Sequence, residues 1–181
     1  RVGSAYGAEF RSFFVPDQER VQVGWDASSL EAVMEAHEVY PYDRDYAEEI
    51  LNGDIHTKNQ ENLGLPSRAV AKTFKYAITY GARAPKLAAS LNVPVDVAEE
   101  WFQNFWEKNS GLKQLMQEIK QEWSYFDKKY ILGIDGRLLS TRAEHASLNT
   151  KLQGGGAILM KYSFAIARKR LGSMIDPLIM Y

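Results

Sequence analysis

The stretch Pro66–Gly81, PSRAVAKTFKYAITYG, spaces Arg68, Lys72, Tyr76 and Tyr80 four residues apart. On a helix, a step of four advances about 400°, so the four side chains form one gently spiralling row. The cations lie at the N-terminal end of that row, where the first N–H groups of a helix are also free to meet an anion. The phenols lie beyond them, offering a flat surface. A polyphosphate at one end and a nucleoside at the other would fit such a row. A solvated helix edge with a buried fringe gives the same spacing, so both readings stand on the stretch alone.

Working outward, the charges are sorted. Residues 26–62 carry ten acids and two bases, residues 67–91 five bases and no acid, and residues 136–172 seven bases and one acid, Glu144. The net charge of −1 therefore conceals basic blocks behind an acidic one. This is the pattern of a basic cleft beside a carboxylate site, although windows of this length also fluctuate by chance. With 181 residues, 45% of them hydrophobic, the chain can bury one sizeable core with a lobe. The absence of cysteine removes disulfide and thiolate chemistry. No apolar run is long enough to span a membrane. The start, Arg1-Val2-Gly3-Ser4, lacks both an initiator Met and a signal peptide, as expected of a piece of something longer.

Arg20–Trp25 alternates like a strand running into Asp26. Ser28 or Ser29 is placed to cap a following helix whose inner face is Leu30, Val33, Met34 and His37. Tyr46, Ile50 and Leu51 mark another helix that ends near Asn52-Gly53. Asp54–Thr57 reads as a connector to a short helix before Gly64, and Pro66 as a first-turn proline. Trp101, Phe102, Phe105 and Trp106 form an aromatic packing face, and Asn109-Ser110-Gly111 separates it from a second helix. A turn at Asp135-Gly136 divides two short apolar runs. A long helix from about Ala146 to Leu171 contains Gly154-Gly155-Gly156, which implies close approach of something to its backbone. Pro177 lies in an apolar tail. The order predicts an α/β chain of α+β type, with a small sheet carrying an acidic site and a helical lobe inserted into it.

Asp26, between a strand and a helix start, is placed to hold a metal or to face the helix dipole, with stability alone as the rival role. Glu31 falls in the first turns of that helix, where solvation alone would account for it. His37, His56 and His145 are scattered, without HExxH spacing, which argues against zinc. No GxxxxGK[ST], GxGxxG or nucleophile elbow is present.

Taken together, these segments resemble the motifs of family A DNA polymerases, most closely those of T7-like bacteriophages. Asp26-Ala27-Ser28-Ser29-Leu30-Glu31 is similar to the first palm motif, Asp-x-Ser-x-x-Glu. Asn52–Gln60 resembles the phage segment entering the fingers, and Arg68-x3-Lys72-x3-Tyr76-x3-Tyr80-Gly81 the fingers helix. Leu132–Arg137 and Ala146–Ala157 resemble the later palm. Four motifs in order cover almost the whole chain. The resemblance implies palm at 1–52, fingers at 53–130 and a second palm segment at 131–181, truncated before the last catalytic motif.

It also implies roles. Asp26, with the Ala27 carbonyl, would bind two Mg²⁺ ions. Glu31 would exclude a 2′-hydroxyl. His56, Arg68 and Lys72 would grip the triphosphate of a dNTP, with Lys72 also a proton donor to pyrophosphate. Tyr76 would lie by the sugar and Tyr80 at the nascent pair. Arg11, Arg137, Asn149 and Gln153 would hold primer-template DNA. Ala32-Val33 stands where the family has Leu-Arg, and the family's His-Asp-Glu triplet does not occur before Tyr181. The expectation is a palm-and-fingers fragment of a phage replicative polymerase, working in the cytoplasm of a bacterial host. By itself it would be inactive, its partners DNA, dNTPs and the remainder of a split polymerase or a processivity factor. A non-catalytic nucleic-acid-binding module derived from a palm is the alternative.

Overall fold

The computed structural model describes residues 5–16 and 18–172. Among them the chain forms helices α1 (Gly7–Ser12), α2 (Leu30–Val39), α3 (Arg44–Asn52), α4 (Ile55–Leu63), α5 (Arg68–Thr79), α6 (Ala84–Leu91), α7 (Val95–Lys108), α8 (Ser110–Tyr125) and α9 (Ser147–Leu171). Strands β1 (Tyr130–Leu132) and β2 (Leu138–Ser140) pair antiparallel, with Ile131 opposite Leu139. The architecture is thus mainly helical with a small antiparallel sheet. No described helix is long and apolar enough to cross a membrane. The expected feature at Pro177 lies outside the described residues.

Short polar residues set the helix starts. Asp43 accepts from the Tyr46 amide at 2.9 Å, Asp54 from the His56 and Thr57 amides at 3.2 and 3.3 Å, and Ser67 Oγ from the Val70 amide at 3.3 Å. Each satisfies N–H groups that a helix leaves open. Asp54 is therefore a cap rather than part of a connector, and Pro66 precedes the capping Ser67 instead of entering the first turn. At the other end of α5, the Gly81 amide donates to Ile78 O and the Ala82 amide to Ala77 O, both at 2.8 Å. Gly81 has φ +79°, so these two bonds close a Schellman motif that needs a left-handed residue.

Phe74 on the inner face of α5 anchors the helix in the core. Its ring meets Phe105 edge-on at 5.8 Å and Trp101 at 6.4 Å, joining α5 to α7. The three glycines of α9 act as expected. A Cβ at Gly154 would strike Leu139 of β2 and at Gly155 Met34 of α2, and at Gly156 it would press tightly on Leu30 of α2. Their absence of side chains lets α9 lie directly against the hairpin and α2.

Three local expectations are corrected. Residues 20–25 form no strand, and Val21 and Val23 are 82% and 72% exposed. Alternation supplies a strand's period, but the ladder needs a partner. The α2 face is rotated: Met34, Glu35, Ala36 and Val39 are buried, while Val33 and His37 are exposed. Glu35 can face inward because it is ion-paired there. Ser29 holds the N-cap position but is left-handed, φ 53°, and its hydroxyl makes no capping bond.

Candidate functional site

Arg68, Lys72, Tyr76 and Tyr80 are all on the exposed side of α5 and its C-cap, while Ala71, Phe74, Lys75 and Ile78 are buried behind them. The row is a real surface. At its N-terminal end the Arg68 guanidinium makes two bonds to Asp54, Nε to Oδ2 at 2.6 Å and Nη2 to Oδ1 at 3.0 Å. Asp54 also accepts from Thr57 Oγ1 at 2.7 Å. The Arg68 bonds first, and that of Thr57 second, hold the Asp54 carboxyl far below the ordinary carboxylate range. Lys72 makes no ion pair among the described residues.

His56, in the first turn of α4, lies beside Tyr76, with ring centroids 5.9 Å apart. Burial lowers the pKa of this imidazole, and the nearby cations Lys75, Arg68 and Lys72 add to the shift against the opposing pull of Asp54. It is therefore neutral at pH 7, and its Nδ1 is buried without a partner among the described residues. A polar ring edge without a partner, next to two exposed cations and a phenol, can accept or donate to an anionic ligand.

At the other end, three helices converge. Tyr80 OH donates to Glu31 Oε2 at 3.3 Å, and Gln153 Nε2 of α9 donates to Glu31 Oε2 at 2.9 Å and to Tyr80 OH at 3.3 Å. Glu31 Oε1 is buried with no described partner. Below this contact a cleft of about 270 Å³ opens between Leu30 and Glu31 of α2 and Leu152, Gln153, Gly156 and Met160 of α9. Asn149, one turn before Gln153, has a buried Oδ1 without a described partner.

The remaining predicted residues stand apart from this contact. Asp26 is exposed on the irregular segment before α2, and its neighbour Trp25 packs on Phe164 of α9 with centroids 4.7 Å apart. Arg11 is exposed on α1, and Arg137 is ion-paired to Asp135 at 2.6 Å in the hairpin turn. Among the described residues no group of three His, Asp or Glu side chains could hold a metal ion. One carboxylate and one carbonyl are too few donors for a pair of hard divalent cations. The described residues therefore do not fit a complete two-ion site.

Two features escaped sequence reading. Asp54 is the counter-ion of Arg68; its place before a helix with Thr57 three residues on signals the cap but not the ion pair. The second is a buried cluster in which Lys75 Nζ donates to Glu35 Oε2 at 2.6 Å and Tyr46 OH to Glu35 Oε1 at 2.8 Å. Its only sequence signal is a lysine on the apolar face of α5.

A sequence profile of DNA polymerase family A matches residues 2–175. The chain belongs to that family. It is 37% identical over 171 residues to the DNA-directed DNA polymerases of Enterobacteria phage T3 and Escherichia phage T7, covering 87% of this chain and 24% of each. To the thermostable DNA polymerase I of Thermus aquaticus it is 27% identical, covering 96% of this chain and 23% of that one. This family A chain thus spans about a quarter of the length of these relatives. Its fold matches the POL domain of Pol1 from M. smegmatis, solved in complex with DNA primer-template and dNTP. The TM-score is 0.68 at 18% identity, over 82% of this chain and 29% of that one.

Proposed function

We propose that this chain is the palm-and-fingers portion of a DNA-directed DNA polymerase that binds primer-template DNA and a dNTP. In this reading residues 53–130 are the fingers and residues 1–52 and 131–181 the palm, and the site belongs to phage replication in a bacterial cytoplasm. The observation that carries it is the three-helix contact of Glu31, Tyr80 and Gln153. It closes one end of a row whose other end is cationic, so a nucleotide lying along α5 has its phosphates and its sugar assigned to opposite ends.

Arg68, Lys72 and neutral His56 then hold the triphosphate, with the free N–H groups at the start of α5 adding to the field. Lys72 is also the residue placed to give a proton to the departing pyrophosphate. Tyr76 faces the sugar, Tyr80 the nascent pair, and Glu31 blocks the position of a 2′-hydroxyl. Asn149 and Gln153 reach minor-groove acceptors, which report pair shape with little sequence content. Arg11 and Arg137 contact backbone phosphates. Asp26 and the Ala27 carbonyl contribute to a Mg²⁺ site whose other ligands are not among the described residues.

The test is nuclear magnetic resonance titration of the purified 181-residue chain with dATP and with ATP. Resonances of His56, Arg68, Lys72 and Tyr76 should shift with dATP, and Lys72→Ala should weaken binding roughly tenfold, as for one charge-assisted contact. Equal binding of dATP by Lys72→Ala would refute the row as its site. Duplex binding that persists with no dATP response would favour a non-catalytic DNA-binding module instead. Primer extension by this chain alone should give no template-dependent product.

A further inference from the structure

We propose that the buried Glu35–Lys75–Tyr46 cluster is a positioning device that sets the register of α5 against α2 and so holds Tyr80 on Glu31. Glu31 and Glu35 lie one turn apart on α2. Their partners, Tyr80 and Lys75, lie five residues apart at the C-terminal end of α5. The two contacts therefore bridge α2 and α5 through side chains, across a seam where the two backbones pack little against each other. One is deep and the other is at the surface. Tyr46 of α3 completes the deep contact, so both Glu35 oxygens are occupied, each from a different helix.

The exposures decide what the pair is for. Glu35 is 2% and Lys75 4% exposed, so both charges have lost their water. A buried ion pair is a poor source of stability, because apolar side chains of similar volume often do as well or better. What it adds is direction. An N–H···O bond weakens steeply with distance and angle, whereas apolar contact is non-directional and tolerates sliding. Burial, followed by the Glu35 carboxylate, pushes the Tyr46 phenol well above its ordinary pKa, so Tyr46 remains a donor.

Register matters at the surface end of this seam. Tyr80–Glu31 and Gln153–Tyr80 are both 3.3 Å, near the outer limit of a hydrogen bond. A slide of about 1 Å between α5 and α2 breaks both. The positioning stands on geometry alone. Its consequence, control of the sugar edge, rests on the nucleotide reading above.

The test separates direction from stability. Lys75→Met alone strands a buried carboxylate and endangers the fold, so the decisive variant is Glu35→Leu/Lys75→Met, made in a Tyr46→Phe background so that no buried hydroxyl loses its acceptor, which replaces the ion pair with apolar volume. Its side-chain amide resonances of Gln153 and ring resonances of Tyr80 are measured without nucleotide. Glu31→Ala supplies the reference positions for a released contact. The double variant should unfold in urea at or above the wild-type midpoint, yet its Tyr80 resonances should move to the released positions or broaden, and those of Gln153, which keeps its 2.9 Å bond to Glu31, should move part of the way. Wild-type resonances in the double variant would overturn the proposal. So would a midpoint well below wild type, which would make the pair a stability element. Addition of dATP to the wild-type chain addresses the nucleotide reading separately, since its failure there leaves the Gln153 result intact.

Discussion

Gly81→Ala should destabilise the chain by about 2–4 kcal/mol, several times the effect of the same change at Gly64. Both glycines follow a helix with positive φ, +79° and +64°. Alanine in the left-handed region costs about 1–2 kcal/mol. Alanine also restricts the unfolded chain, which returns about 0.4–1 kcal/mol, leaving roughly 1 kcal/mol net. At Gly64 the account ends there, because nothing lies within 4 Å of an added Cβ. At Gly81 that Cβ would run into the His145 carbonyl oxygen, a backbone atom that cannot rotate away. Overpacking of this kind adds about 1–3 kcal/mol. Urea unfolding followed by circular dichroism reads the difference. With a slope of about 2 kcal/mol per molar, Gly81→Ala should lower the midpoint by about 1–2 M and Gly64→Ala by about 0.5 M. Coincident midpoints for the two variants would refute the reasoning. Because Gly81 follows Tyr80, the same variant should also loosen the Tyr80–Glu31 contact.

Phe74→Ala should cost about 3–5 kcal/mol in the same assay, because it empties the ring position between Trp101 and Phe105. Arg68→Ala should raise the Asp54 titration, measured by carboxyl carbon resonances, but not fully to the ordinary range, since Thr57 still donates to it. The Asp54 pKa is depressed in the fold, so the stability it provides is present above the unfolded carboxylate pKa. That stability should fade as pH drops through the folded one. His56 is also depressed: below about pH 6.5 the unfolded imidazole binds a proton that the folded one resists. Stability should therefore fall from pH 7 toward pH 5, and His56→Gln should flatten that slope. Glu118→Gln should bring the Tyr42 phenol, raised to about 12 chiefly by its hydrogen bond to Glu118, back toward its ordinary value in an absorbance titration.

Local pattern and long-range contact divide what could be read in advance. The exposed row on α5 was legible because four-residue spacing dictates a common face wherever the segment is helical. The hairpin turn at Asp135-Gly136 was legible for a similar reason, since Gly136 takes φ +81°. The run Gly154–Gly156 announced a close approach, but only the fold names Leu139, Met34 and Leu30 as what approaches. The alternation of 20–25 misled because period is local and pairing is not.

The sequence alone determined the family, through its ordered motifs, and the cationic-then-phenolic character of the α5 surface, through spacing and residue type. Only the tertiary structure decided which charges are paired with one another. Arg68 is paired at the surface with Asp54, 14 residues away, and Lys75 in the core with Glu35, 40 residues away. No periodicity encodes those partners, because they meet through the packing of separate helices. That packing makes Arg68, Lys72, Tyr76 and Tyr80 a surface, and assigns Lys75, three residues beyond Lys72, to the core.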